Sequence, residues 1–176
     1  RACVYTEPLW GIPYNLFTPY ASLYMYAMGV KDSQIGLIAT IGLAVQIVAA
    51  LLSGVITDKF GRRKVTFAVD FLCWSVPCII WAVAQNFTYF VVAAIINGAW
   101  RITANSWMCL MVEDSDQEQL VDIYAWVHIS GLISAFFAPL AGLFVGRFGM
   151  VPTVRVLYIL AFVMMTMKFI ILYVFS

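Results

Sequence analysis

The sequence predicts an all-α integral membrane protein of six transmembrane helices, arranged as two inverted three-helix repeats. The first observation is composition: 64% of the residues are hydrophobic and 11% are charged, against about a quarter charged in soluble domains. The second is a set of apolar runs, each close to the roughly 20 residues that cross a bilayer as a helix. The third is an internal similarity between the two halves of the chain.

The six predicted helices are separated by short breaks that carry turn or charge signals. They run over Pro8–Met28, Gln34–Thr57, Val65–Ala84, Tyr89–Val112, Leu120–Val145 and Pro152–Val174. Since no break is long enough for a soluble domain, we expect a single six-helix bundle over residues 1–176. Pro8, Pro13 and Pro19 each remove a backbone donor, so we expect helix one to be irregular.

The ends of helices two and five resemble each other. The repeated residues are Gly54, Lys59, Phe60 and Gly61, matched 88 positions later by Gly142, Arg147, Phe148 and Gly149. An offset of three helices places the two copies on opposite sides of the membrane, as in an inverted-topology repeat. We therefore expect repeat one over residues 1–87 and repeat two over residues 88–176, with chance similarity between apolar segments as the alternative.

The basic residues of the loops predict the orientation, because loops rich in Lys and Arg stay in the cytoplasm. One side would hold Arg1 and the run from Lys59 to Lys64, and the other Lys31, Arg147 and Arg155. We expect a multi-pass protein of the cell (inner or plasma) membrane, with both termini cytoplasmic. No cleavable signal peptide is evident at the N-terminus.

The segment GVITDKFGRRK, from Gly54 to Lys64, lies at the end of the apolar run Ile35–Ile56. It resembles the signature loop between helices two and three of major facilitator superfamily transporters, G-x-x-x-D-(K/R)-x-G-R-(K/R)-(K/R), and meets every fixed position. The resemblance implies the N-terminal half of a twelve-helix transporter. It also implies a gating role for the loop residues Gly54, Asp58, Gly61, Arg62 and Arg63. In that role the glycines allow close packing and a tight turn, while Asp58 pairs with basic residues and a helix dipole to hold the cytoplasmic side closed.

Polar side chains follow two of the predicted helices at helical spacing. They are Glu7, Gly11, Asn15, Thr18 and Ser22 on helix one, and Asn97, Arg101 and Asn105 on helix four. An arginine at mid-membrane costs about 2.5–3.5 kcal/mol on insertion scales, so such a residue usually faces a bundle interior or a wet cavity.

The resemblance implies that helices one and four line the transport pathway. We therefore interpret Asn15, Thr18, Asn97, Arg101 and Asn105 as substrate-binding residues, with Arg101 attracting an anionic or strongly hydrogen-bonding group. The alternative is that Arg101 only holds the bundle together, through an internal acid or carbonyl groups.

Five further ionisable residues lie within or near the predicted spans: Glu7, Asp70, Asp122, His128 and Lys168. Glu7 heads the polar face of helix one and is our candidate for a proton carrier. Asp70 and Lys168 lie near the cytoplasmic ends of helices three and six, which the resemblance makes peripheral, so we expect an ion pair or snorkelling there. The four cysteines show no metal-ligand spacing, and we expect neither a metal nor a cofactor.

The function predicted by these features is secondary active transport of a small solute by alternating access, coupled to an ion or a proton. The expected partners are the lipid bilayer, the solute, and either a C-terminal six-helix half or a second copy of the chain. The alternatives are a transport-inactive receptor or scaffold and a half-size module that dimerises.

Other function classes find little support in the sequence. A single histidine excludes H-E-x-x-H zinc chemistry, and neither a G-x-S-x-G elbow nor a T-V-G-Y-G filter occurs, so we expect neither an enzyme nor a channel. The formal net charge of +1 argues against a nucleic-acid partner.

Overall fold

The structure, a computed structural model, describes residues 2–113 and 119–175, and every secondary-structure element in these ranges is helical. The helices are α1 (Ala2–Phe17), α2 (Ala21–Ala27), α3 (Asp32–Phe60), α4 (Arg62–Asp70), α5 (Val76–Ala82), α6 (Phe87–Gly98), α7 (Arg101–Glu113), α8 (Leu120–Ala135), α9 (Ala138–Phe148) and α10 (Met150–Phe175). A 3₁₀ turn, Thr18–Tyr20, joins α1 to α2, and a π-helical turn, Phe71–Ser75, joins α4 to α5.

Within the described ranges, five helical stretches are long and apolar enough to cross a membrane. They are Asp32–Phe60, Arg62–Ala82, Phe87–Cys109, Leu120–Phe148 and Met150–Val174. These stretches correspond to predicted helices two to six and confirm an all-helical membrane protein. The number of six spans and the inverted repeat remain predictions.

The first predicted helix is divided by the 3₁₀ turn into pieces of 16 and seven residues. Pro19 lies at the start of that turn, where its missing N–H leaves no helical hydrogen bond unmade. Pro8 and Pro13 instead lie inside α1, which begins at Ala2 rather than at the predicted Pro8. The irregularity predicted from the prolines is thus confirmed, and the break falls at the third of them.

The apolar core lies where α1, α2, α5, α6 and α10 meet. Its largest fully buried side chains include Tyr24, Phe90, Tyr158 and Met165. The hydroxyl of Tyr24 donates to the carbonyl of Trp81 at 2.8 Å, and the guanidinium of Arg155 donates to the carbonyl of Ala84 at 2.9 Å. The Trp81 carbonyl also accepts from the backbone N–H of Ala84 at 3.3 Å. Side chains of α2 and α10 therefore bind carbonyls at and just beyond the end of α5, where helical partners run out.

Two glycines let neighbouring helices approach closely. A Cβ atom on Gly98 of α6 would lie 2.9 Å from side-chain atoms of Val45 on α3. A Cβ atom on Gly11 of α1 would lie 2.8 Å from the hydroxyl oxygen of Ser134 on α8. Close backbone contact of this kind is how membrane helices gain packing energy in place of a hydrophobic driving force.

Candidate functional site

An ion pair joins the first and last helices inside the bundle. The Nζ atom of Lys168 on α10 lies 2.7 Å from Oε1 of Glu7 on α1, and the two side chains are 6% and 12% exposed. The expected ion pair of Lys168 is therefore present, whereas snorkelling is not observed. Its partner is Glu7, the residue predicted to carry a proton.

Asp70 lies at the end of α4, and only 8% of it is exposed. Its Oδ1 atom accepts a hydrogen bond from the hydroxyl of Thr103, on α7. One turn earlier, the hydroxyls of Thr66 and Ser106 lie 2.8 Å apart between the same two helices. The buried contact between α4 and α7 is therefore polar over two turns, and it ends in a carboxyl group.

A cavity of about 300 Å³ brings these groups together. Side chains from α1, α4, α7, α8, α10 and the π-helical turn line it, among them Glu7, Asp70, Thr103 and Lys168. Most of the remaining wall is aromatic, with Trp10, Trp74, Trp100 and Trp107. An apolar wall with a few converging polar groups is typical of a binding cavity. We refer to Glu7, Asp70, Thr103 and Lys168 as the charged cluster.

The tryptophans also contribute electrostatically. The Nζ atom of Lys168 lies 5.8 Å from the ring centroids of both Trp10 and Trp107, within the range of a cation–π interaction. The indole Nε1 of Trp107 is buried and has no hydrogen-bond partner within the described protein atoms. Most buried donors have a hydrogen-bond partner, so this N–H is an exception among the buried polar groups of the described residues.

The π-helical turn beside Asp70 has a local cause in the sequence. Pro77 has no N–H, so the carbonyl of Cys73, four residues earlier, loses its normal helical donor. The side-chain amide of Asn97 on α6 donates to this carbonyl at 2.8 Å. Asn97 thereby stabilises an irregular turn of the helix that carries Asp70.

The predicted substrate-binding residues do not all share one face. Asn15 donates to the carbonyl of Gly11 in its own helix, at 2.8 Å, and Thr18 lies exposed in the 3₁₀ turn. On the fourth predicted helix a turn at residues 99–100 separates Asn97, which contacts Cys73, from Arg101 and Asn105. The last two are exposed, and the guanidinium of Arg101 lies 4.6 Å from the ring centroid of Trp100.

The signature loop is a tight connection between α3 and α4. Gly61 has φ = 84°, a left-handed conformation that favours glycine. Arg63 donates to the backbone carbonyl of Tyr173 near the end of α10, and its guanidinium lies 5.3 Å from the Tyr173 ring centroid. Arg62 begins α4, and Asp58 lies exposed in the last turn of α3. A Cβ atom on Gly54 would meet no described atom within 4 Å.

Sequence reasoning set aside Asp70 and Lys168 as peripheral and did not consider Thr103 at all. The helix of Lys168, α10, contributes much of the apolar core, and all three side chains are buried and line the same cavity as Glu7. The sequence did contain a signal for this cluster, namely ionisable residues at membrane depth on three different helices. Such groups usually face the bundle interior and pair with one another.

Comparison with known proteins is consistent with this architecture. The family model described as Major Facilitator Superfamily matches residues 10–176. Nitrate/nitrite transporters named NrtP, from Picosynechococcus sp. and Nostoc punctiforme, are each 30% identical over 82 residues, or 47% of this chain. An uncharacterized MFS-type transporter, YqjV of Bacillus subtilis, is 27% identical over 136 residues, or 75% of this chain. The matched stretches cover 15%, 16% and 32% of those three proteins.

Proposed function

Because this chain belongs to the major facilitator superfamily, we propose that it is part of a secondary active transporter that moves a small solute across the membrane by alternating access. The observation that carries the proposal is the charged cluster. Burying an ion pair and a further carboxyl group inside a membrane bundle is costly, and such groups usually mark a substrate or ion pathway.

The substrate class that we propose is a small anion. Arg101 and Asn105 lie four residues apart on α7, and both are exposed, with the Arg101 guanidinium over the ring of Trp100. A guanidinium presents several donors in a planar fork that suits the oxygens of an anion. Two relatives are named as nitrate/nitrite transporters, which agrees with this chemistry. Asn15 and Thr18 on the first helix, and Asn97, are secondary members of the proposed site.

The proposed assembly has two six-helix halves. The chain would supply the N-terminal half, with six spans in two inverted repeats over residues 1–87 and 88–176. A C-terminal half, or a second copy, would pack against the exposed apolar faces. Exposed apolar side chains such as Leu51 on α3 and Phe136 beside α8, 78% and 83% exposed, are available to such a half or to lipid. The protein would lie in the cell membrane with both termini cytoplasmic.

Coupling to a proton is the proposed energy source, with Glu7 as the first candidate carrier. Its carboxylate is paired with Lys168, and both line a cavity that can hold water. Protonation of Glu7 would cancel the ion pair between α1 and α10. A rearrangement of these two helices would then follow the proton.

A transport-inactive receptor or scaffold on the same fold is the second candidate function. A receptor would bind the anion at Arg101 without carrying it across the membrane. Binding and transport therefore have to be measured separately.

Ligand-dependent thermal stabilisation of the natively expressed, full-length protein tests the binding site. Nitrate, nitrite and a panel of small carboxylates are added as sodium salts, with sodium chloride at matched ionic strength as the reference. We expect at least one anion to raise the melting temperature, since a ligand that binds only the folded state stabilises it. Arg101→Ala should abolish the shift, whereas Arg147→Ala, which removes an exposed cation elsewhere, should keep it. An equal shift in both variants would place the anion somewhere other than Arg101.

A further inference from the structure

The charged cluster contains two carboxyl groups and one ammonium group. Lys168 is paired with Glu7 at 2.7 Å, and Asp70 receives its hydrogen bond from the neutral hydroxyl of Thr103. The titratable groups that face Asp70 are Lys168 from α10, Glu7 from α1 and Cys73 from the π-helical turn. If both acids were ionised, the cluster would carry one uncompensated negative charge inside the bundle.

An uncompensated buried charge is strongly unfavourable, so the cluster needs one more positive charge. A metal ion is a poor candidate. Hard cations take six or more oxygen ligands, and the side-chain oxygens of this wall come from Glu7, Asp70 and Thr103 beside four tryptophans. In the described part of the chain, no group of three or more His, Cys, Asp or Glu side chains could hold a metal. A proton needs only one oxygen atom.

We propose that Asp70 is a proton-binding site and that it shares the ammonium group of Lys168 with Glu7. While Lys168 pairs with Glu7, Asp70 holds the proton on the oxygen that Thr103 does not contact. When Lys168 moves to Asp70, that proton passes to water in the cavity and Glu7 takes up a proton from water. One O–H bond breaks at Asp70 and one forms at Glu7, so the cluster stays neutral.

The cavity supplies the route for the proton. At about 300 Å³ it has room for several waters, since each occupies roughly 30 Å³ in the liquid. Thr103 fixes one carboxyl oxygen of Asp70, so the other is left for the proton. Proton binding at Asp70 does not depend on the proposed transport function, whereas any link between proton binding and solute movement does.

Infrared difference spectroscopy of the full-length protein in lipid tests the site without any substrate. Aspartate is labelled with ¹³C at the side-chain carboxyl, and the C=O stretch of protonated acid is recorded at a pH of about 5.5, where exposed aspartates with reference values near 3.9 are ionised. We expect a label-sensitive band that is lost in Asp70→Asn and kept in Asp122→Asn, which alters an exposed aspartate of α8.

Glu7→Gln provides the second, independent variant. It releases Lys168, whose ammonium becomes available to the carboxylate of Asp70, so the protonated aspartate band should be lost while Asp70 itself is unchanged. A band that survives Asp70→Asn, or one that Glu7→Gln leaves at full intensity, overturns the proposal. If the band is lost in both variants but the protein transports nothing, the proton site at Asp70 is supported and the proposed transport function is wrong.

Discussion

Nζ of Lys168 and Oε1 of Glu7 lie 2.7 Å apart, although 161 residues separate them along the chain. The contact joins the first helix to the last in the part of the bundle that also contains Asp70. Such a pair resists separation of α1 from α10 for as long as both groups are charged. The first prediction concerns what happens when one partner is removed.

Lys168→Met is expected to destabilise the protein by about 3 kcal/mol, because it leaves a buried carboxylate without its partner. This cost is at the low end of the range for broken buried ion pairs, since the unpaired carboxyl group of Glu7 can take up a proton. The double variant Glu7→Gln with Lys168→Met should recover most of the loss. Thermal unfolding in detergent measures all three, with Lys31→Met as the exposed control. A double variant no more stable than Lys168→Met would show that the pair is not the source of the effect.

Asn97→Ala is expected to cost about 1–3 kcal/mol, because it leaves the carbonyl of Cys73 without a donor. Pro77→Ala restores a backbone N–H at the position that would normally bond that carbonyl. Combining the two substitutions should therefore return stability toward that of the parent protein. The melting temperatures of the two single variants and the double variant form the test. If the double variant is destabilised by the sum of the two single effects, Asn97 does not act by replacing the donor that Pro77 lacks.

Gly98→Ala is expected to be destabilising by about 1–3 kcal/mol, the usual cost of overpacking. The added Cβ would lie 2.9 Å from Val45 side-chain atoms and 3.0 Å from the carbonyl oxygen of Gly42. Gly42→Ala is the matched control on the facing helix, because its Cβ would sit 3.9 Å from Ala94, an ordinary contact. Thermal unfolding should separate the two variants clearly. Equal melting temperatures would mean that α3 and α6 do not cross this closely.

Asp58→Asn is expected to slow solute exchange while leaving solute binding largely intact. Asp58 lies in the last turn of α3, just before the left-handed Gly61, and outside the charged cluster. Its proposed role is to hold the cytoplasmic side closed during the transport cycle, so its loss should affect rates rather than affinity. Exchange rates in proteoliposomes and anion-dependent thermal shifts provide the two readouts. A loss of binding with normal exchange would be inconsistent with this role.

Much of the architecture could be predicted from the sequence because it depends on local patterns. Apolar runs of membrane length gave helices two to six, and the Gly61 of the signature loop lies at a left-handed turn. The three prolines predicted that the first helix is irregular, but they did not predict where along the helix the break falls. The signature loop itself pointed to the family that the match over residues 10–176 confirms.

The candidate site was less predictable because it depends on helix breaks and on long-range packing. Helical spacing placed Asn97 and Arg101 on one face, but the turn at residues 99–100 interrupts the helix between them. The pairing of Lys168 with Glu7 requires α10 to pack against α1, which no local pattern specifies. Asp70 was not predicted to belong to the site because its helix was expected to be peripheral, whereas its side chain lines the cavity.

Solute counterflow is the measurement that tests the central claim most directly. Proteoliposomes of the full-length protein are loaded with the unlabelled anion found in the thermal screen and diluted into a trace of the labelled anion. We predict a transient accumulation of label, abolished in Arg101→Ala and slowed in Asp58→Asn, because a carrier exchanges solute across the membrane without a net driving force. Binding of the anion with no accumulation of label would contradict transport and favour a receptor or scaffold.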